Sequence, residues 1–233
     1  MKKTVLYMDK VESPLGTILL SSHGEKLNGL WFQGEKYEEI RMKNEDGVEE
    51  RPDLPVFQET RRWLDLYFQG KDPGFTPPLE LSGSDFRQQV GRIMLTIPYG
   101  KTMTYGAIAR EMARREGKER MSAQAVGGAV GHNPISLIIP CHRVVGTSGS
   151  LTGYGGGMPR KVWLLEHEGI DLKASGFTIP KKRDCPVTGT ILFAPRRFSF
   201  FPTRSSVLLL PVSPSLPGRS GESLSGCSGP PAQ

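Results

Sequence analysis

The chain has 233 residues, with 30 Lys and Arg against 24 Asp and Glu, and its formal net charge of +6 is unevenly spread. Residues 1 to 83 carry 11 basic and 15 acidic side chains, residues 84 to 180 carry 12 and 7, and residues 181 to 233 carry 7 and 2, so the cationic character begins near Ser84. No run approaches the roughly 18 apolar residues that cross a bilayer, which excludes a spanning helix, and the composition of the first 180 residues excludes disorder there.

The length leaves room for one or two domains of roughly 100 to 150 residues. Met1 to Lys10 has basic residues but no apolar stretch ahead of Asp9, Lys10 and Glu12, so it does not read as a secretory signal. Cys141, Cys185 and Cys227 form no C-x-x-C pair and no disulfide framework, which makes an intracellular, reducing location the expectation: cytoplasmic, or nuclear in a eukaryotic source.

From the N-terminus, Val5 to Phe32 reads as an antiparallel meander: a Pro14-Leu15-Gly16 turn, the β-rich Thr17 to Leu20, a His23-Gly24 turn, then Leu27 to Phe32. Glu35 to Glu50 is charged and ends in an acidic loop. Val56, Phe57, Thr60, Trp63, Leu64 and Tyr67 then recur at helical spacing and predict a helix that packs on the strands. Gly70 to Pro78, with three prolines and two glycines, is the candidate linker. Beyond it Ser84-Asp85 opens a helix through Phe86, Val90, Ile93 and Met94, closed by Pro98-Tyr99-Gly100. Thr104 can cap a second helix, and after the basic stretch Arg114 to Arg120, Ser122 can cap a third, Ala123 to Gly131, ended by Asn133-Pro134. The last two fit either a helix-turn-helix pair or an ordinary helical hairpin. Three glycines in the third helix, each costing about 1 kcal/mol relative to alanine, demand a reason. Close approach of the backbone to a bulky ligand, with a DNA minor groove fitting best, is one; tight packing inside the domain is the other.

The chemical centre is Ile138-Ile139-Pro140-Cys141-His142-Arg143-Val144-Val145, an apolar strand running into a Pro-Cys-His turn and a second apolar step. A free thiol, with pKa near 8.5, is only roughly 3% thiolate at pH 7. An adjacent imidazole or cation can lower that pKa, and His142 and Arg143 are placed to do so; a buried packing cysteine is the alternative. Lys161 to Gly169 is helical, and from the residues alone either Glu166 or Glu168 could orient His142. A metal centre is not expected, since Cys141, His142, His132 and His167 are the only candidate ligands and two are neighbours along one strand. Gly153-Tyr154-Gly155-Gly156-Gly157 lacks the Lys-Ser/Thr of a phosphate loop and reads as a flexible wall or lid. A thiol protease is a second reading of the Cys-His-carboxylate set, but Cys and His adjacent on an extended segment do not easily face each other, which suggests a relay through water.

Pro140-Cys141-His142-Arg143-Val144, preceded by Gly131-His132-Asn133-Pro134 and followed by Gly153-Tyr154, resembles the active-site signature of the O6-alkylguanine-DNA alkyltransferases. The similarity takes in Ser84-Asp85-Phe86, Ile97-Pro98-Tyr99-Gly100, Thr104-Tyr105, Ala125-Val126-Gly127-Gly128 and Leu164-Leu165-Glu166-His167-Glu168-Gly169, in that order. It implies an α/β N-terminal domain (small antiparallel sheet plus helix) over residues 1–83. A mostly helical, winged helix-turn-helix-like domain that binds DNA and holds the acceptor would follow over 84–180. It also implies direct reversal of damage: Cys141 takes the methyl or other alkyl group from O6 of guanine, with O4 of thymine as a further candidate donor, once per molecule and without a cofactor. By the same resemblance His142 draws the thiol proton through a water and Glu168, rather than Glu166, completes the relay. Asn133 braces the turn, and Tyr105 donates toward an extruded guanine. Ser122, Gln124, Ala125, Gly127 and Tyr105 meet DNA, while Pro140, Val144, Tyr154 and Gly156 form the pocket, with Arg143 structural. The implied partner is double-stranded DNA containing O6-alkylguanine, bound by a monomer away from any membrane. A lesion-binding sensor that does not transfer the group is the alternative.

The sequence departs from the family pattern in two places. Gln124 stands where well-studied members have an intercalating arginine, which implies weaker or more salt-sensitive DNA binding. No cysteine precedes Cys141, so the N-terminal zinc site of some relatives is missing. The resemblance stops near Lys181. In residues 181–233, Pro, Ser and Gly make up 22 of 53 positions, and disorder is expected. That tail is read as an appended or wrong-frame segment without a role in repair, a basic arm that adds DNA affinity being the alternative.

Overall fold

A computed structural model describes residues 5–35 and 47–178; most of the charged stretch after Glu35 and the basic tail from Lys181 lie outside the described residues. Strand β1 (Val5–Val11) pairs antiparallel with β2 (Ile18–Ser22), and β2 antiparallel with β3 (Leu27–Phe32), as the turn signals predict. Period-two alternation divides the strands between two cores. Ile18, Leu20, Leu30 and Phe32 join the main one, while Leu6, Met8, Leu19 and Trp31 form a second cluster. Where the sequence reading expected a loop, Gly47–Glu50 forms a fourth strand, β4, parallel to β1. The sheet, ordered β3-β2-β1-β4, is therefore mixed rather than purely antiparallel. The acidic side chains that suggested a loop suit an outer strand: Glu49 and Glu50 are exposed, Glu50 Oε1 takes a 2.7 Å ion pair from Lys10 Nζ, and charge on an edge discourages further pairing.

Helix α1 (Pro55–Phe68) begins with proline at its first turn and buries Val56, Phe57, Thr60, Trp63, Leu64 and Tyr67, the face predicted from spacing. It is tied to the sheet by Arg61, whose Nε and Nη2 donate to the buried Asp9 carboxylate at 2.8 and 2.6 Å.

Helices α2 (Asp85–Met94), α3 (Tyr105–Arg115) and α4 (Ala123–Gly131) follow. Each starts where predicted, because Ser84, Thr104 and Ser122 accept from the backbone N–H three residues on. The three pack on one another, with Val90, Ile93, Ile108, Met112, Val126 and Val130 continuing the main core. A two-stranded ribbon, β5 (Met103–Thr104) parallel to β6 (Val144–Val145), and helix α5 (Met158–His167) complete the helical half.

The edge of β3 joins the two halves. Leu27 N donates to Pro78 O at 2.8 Å and Leu30 N to Pro134 O at 3.0 Å, while Ser136 N returns a 2.7 Å bond to Leu30 O. The strand edge is thereby covered, and the segment that leads to Cys141 is anchored on the sheet. Among the described residues no helix is long and apolar enough to cross a membrane.

Candidate active site

Cys141 is carried by a turn, not by the strand the sequence suggested. Ile138 N bonds to Ser136 O and Ile139 N to Ile135 O, Cys141–Arg143 form one 3-10 turn, and only Val144–Val145 are extended. An apolar run fits a buried turn as well as a buried strand, so its hydrophobicity could not decide. The carbonyls that a strand neighbour would have satisfied are satisfied by Asn133, whose Nδ2 donates to Ile135 O at 3.1 Å and Ile139 O at 2.8 Å. The same amide lies 3.1 Å from Cys141 Sγ, so the group that braces the turn also touches the thiol. Leu137 has φ of 66°, a left-handed backbone that costs an L-residue roughly 1–2 kcal/mol. It sits between two of the bonds that hold the turn.

Behind the thiol lies one buried carboxylate with five donors. Glu168 Oε1 accepts from His142 Nε2 at 2.7 Å, Tyr67 OH at 2.8 Å and Arg143 Nη2 at 3.1 Å. Oε2 accepts from Arg143 Nε at 2.8 Å and Gly100 N at 3.1 Å. Arg143 Nη1 also donates to Ile97 O, which makes it a cross-brace as the resemblance implied. Burial by itself would raise the Glu168 pKa, but hydrogen bonds and charge from His142 and Arg143 outweigh it and hold the carboxyl at about 2. Gly100, with φ of 69°, cannot be another residue, because a Cβ there would lie 2.9 Å from Glu168 O. Glu166 is on the exposed face of α5, which resolves the pair of carboxylates that the residues alone left open.

The thiol itself corrects an expectation. His142 and Arg143 both point at Glu168 rather than at Sγ, and burial pushes the Cys141 thiol up to about 11, against the lowering influence of Asn133 and Lys161. Burial likewise lowers the His142 pKa, although Glu168 opposes this. His142 Nδ1 has no hydrogen-bond partner among the described residues. Tyr154 lies across the imidazole, ring centroids 6.5 Å apart, and its phenol is raised well above 10 by burial and by the neighbouring Cys141 and Glu35. Gly156 is the second enforced glycine, since a Cβ would meet the Tyr154 ring at 2.8 Å and Glu35 at 3.1 Å. Pro140 and Val144 flank the Cys-His-Arg turn and are buried.

Tyr105, at the start of α3, donates to Thr152 O at 3.0 Å, and the β5–β6 pairing fixes it beside the Cys141 turn. Its pKa is raised by burial and by Cys141. A Cβ on Gly127 would meet the Tyr105 ring at 3.9 Å, an ordinary contact, and one on Gly128 or Gly131 would meet nothing within 4 Å. The domain's own packing does not require those two glycines. Ser122, Gln124, Ala125 and Gly128 are exposed.

Three residues at this site escaped the sequence reading. Lys161, fully buried, donates from Nζ to Val144 O at 2.6 Å and Thr152 O at 3.3 Å, and burial lowers its pKa to about 8. Tyr67 was legible as a core residue of α1, but nothing local showed that its hydroxyl reaches a carboxylate 101 positions away. Glu35 follows β3 as one charged residue among many, yet it faces the Gly155-Gly156 backbone.

Two family models match the chain: the 6-O-methylguanine DNA methyltransferase DNA binding domain over residues 85–170, and the ribonuclease-like domain of the same enzymes over residues 6–81. The methylated-DNA–protein-cysteine methyltransferase of Mycobacterium tuberculosis is 42% identical over 164 residues, which is 70% of this chain and 93% of that protein. Its namesake from Methanosarcina barkeri is 41% identical over 169 residues, 72% of this chain and 100% of the relative. The crystal structure of Mycobacterium tuberculosis OGT in complex with DNA superposes with a TM-score of 0.60 at 40% identity, covering 70% of this chain and 92% of that one. Family models over both halves and identity above 40% across nearly whole relatives place the chain in the methylated-DNA–protein-cysteine methyltransferase family.

Proposed function

We propose that the chain repairs DNA by direct reversal, moving a methyl or other alkyl group from O6 of guanine, and from O4 of thymine where that lesion occurs, to Cys141. The S–C bond forms as the C–O6 bond breaks, and the thioether is permanent, so each molecule acts once. The thiol proton passes through a bridging water to His142 Nδ1, the ring nitrogen left free when Glu168 holds Nε2. The departing guanine anion is neutralised by a proton from the Tyr105 hydroxyl, which leaves Thr152 for the base, and the proton taken up by His142 returns through solvent to the phenolate, so the site ends neutral. Pro140, Val144, Tyr154 and Gly156 enclose the alkylated base. The observation that carries the reading is the set Asn133–Cys141 at 3.1 Å and His142–Glu168 at 2.7 Å, brought together around one buried turn.

A base stacked in a duplex cannot reach a buried thiol, so double-stranded DNA is bound as a complex with the lesion nucleotide extruded, at a few kcal/mol. Ser122, Gln124, Ala125, Gly127 and Tyr105 form the DNA face. The open space at Gly128 supports it, because a helix that gives up about 1 kcal/mol per glycine without a packing reason has an external one. On this reading the monomer acts in the cytoplasm, residues 1–83 support the acceptor domain 84–180, and the segment 181–233 takes no part. Incubation with a methylated duplex should add one methyl mass to the peptide containing Cys141. Binding of the duplex with no added mass would replace the enzyme by a lesion sensor.

A further inference from the structure

Four of the twelve cations of residues 84–180 line one place. Between α3 and the segment leading into α4 lies an open cleft of about 490 Å³, floored by small residues such as Ala109, Ala113 and Ala123. Arg110, Arg114, Lys118 and Arg120 rim it, against a single rim acid, Glu119. Two of these cations are already committed: Arg114 pairs with Glu111 at 2.8 Å and Lys118 with Glu116 at 2.6 Å. Arg110 and Arg120 are exposed, and neither makes an ion pair with a described residue. Two uncommitted guanidinium groups across a floor of small residues, with Met121 as its one long apolar side chain, make a receptor for a charged group on a backbone that must come close. Guanidinium forks suit phosphate oxygens in particular.

We propose that this cleft holds a backbone phosphate of the bound duplex, beyond the nucleotide that enters the Cys141 pocket. The proposal rests on the DNA-repair reading above. Ala123 forms part of the cleft and immediately precedes Gln124, so the cleft adjoins the proposed DNA face rather than lying on a separate surface. A phosphate held there fixes the strand on the α3 side while the base is drawn out.

The test compares the full chain with Arg110→Gln/Arg120→Gln, and with Lys26→Gln as an exposed charge control far along the chain. Binding of a short unmodified duplex is followed over a salt series. Each phosphate contact contributes about 0.9 to the slope of log K against log salt, so the double substitution should flatten that slope by roughly 1 and weaken binding on the order of tenfold at low salt. Lys26→Gln should leave both unchanged. The rate of transfer from a methylated duplex, divided by that from a free O6-alkylguanine base, should fall with the affinity. A slope unchanged by the double substitution overturns the phosphate cleft. A wild-type chain that accepts no alkyl group from either donor overturns the repair reading instead, and the salt slope still decides the cleft.

Discussion

Glu168→Gln tests the centre of the site most directly, because the amide keeps the shape of the side chain and changes only its charge and one acceptor. In the wild type, both carboxylate oxygens face donors: His142, Tyr67 and Arg143 on one side, Arg143 and Gly100 on the other. Whichever way the glutamine turns, its NH2 faces at least two of these N–H or O–H groups, and Arg143 loses its anion while almost wholly buried. Breaking a buried ion pair from one side costs about 3–5 kcal/mol, which for a chain of this size lowers Tm by roughly 6–20 °C. Transfer should slow by about 10²–10⁴-fold, the usual contribution of a positioned acid–base group, since the imidazole loses the partner that fixes its ring. Tyr67→Phe is the companion: it removes one donor from the same oxygen, costs about 1.5–3 kcal/mol, and leaves the His142–Glu168 bond in place. Thermal melting and single-turnover transfer from a methylated duplex give the two readouts. A Glu168→Gln chain that melts within a degree of wild type and transfers at the wild-type rate would refute this account. So would a Tyr67→Phe chain that slowed transfer as severely as Glu168→Gln.

Other substitutions and conditions probe separate parts of the structure. Gly128→Ala should stabilise α4 by about 1 kcal/mol, because the methyl meets no neighbour, and should weaken duplex binding; unchanged affinity would remove close approach as the reason for the glycine. The Cys141 thiol, raised by burial to about 11, should titrate near that value in the folded chain, followed by iodoacetamide labelling of its peptide against pH. Since a raised folded pKa stabilises below the unfolded value and is lost as pH rises through the folded one, this group's contribution should fade between about pH 9 and 11. Gln124→Arg should tighten binding to a methylated duplex at low salt and steepen its salt dependence, and equal affinities would show that the missing cation is immaterial. Truncation after Lys182 should leave transfer within about twofold of the full chain, as judged by the methyl mass on Cys141.

Local physics was readable from the residues, and long-range physics was not. Ser84, Thr104 and Ser122 were legible as caps because a cap bonds three residues away, and the buried face of α1 was legible because it depends only on a period of 3.6. The strand at Gly47–Glu50 escaped because its acidic side chains carry the composition of a loop, and only the partner β1 makes it a strand. The turn at Ile138 and Ile139 escaped because what distinguishes it from a strand is a side-chain amide, Asn133, five and six positions earlier in the chain. At the site, the family motif supplied the choice of Glu168 over Glu166, which the residues alone left open, and the structure adds the geometry that puts one of them on His142. The direction of the Cys141 shift was not legible for a related reason. Neighbours in sequence suggested cations beside the thiol, whereas the fold turns both toward Glu168 and leaves burial as the dominant influence.

The dominance of burial over neighbouring charge bears on how a protein consumed by its own reaction can keep its acceptor intact. With a thiol at about 11, roughly one molecule in 10⁴ is thiolate at pH 7, and a small electrophile that strays into the pocket meets an unreactive SH. The same burial lowers the His142 pKa, so the resting pair is a thiol beside a neutral imidazole whose Nε2 is held by Glu168 and whose Nδ1 lacks a protein partner. Neither group is charged, yet one can give a proton that the other can take. On the proposed mechanism that transfer becomes favourable only when an alkyl carbon with a good leaving group lies against sulfur, because the bond to carbon then absorbs the charge that the buried site would not tolerate on a free thiolate. Lys161, at about 8, lies near enough to favour what anionic character does develop on the sulfur. Burial that looks unfavourable for a nucleophile thus makes the reaction conditional on the substrate, and for a single-use acceptor that selectivity outweighs a faster resting thiol.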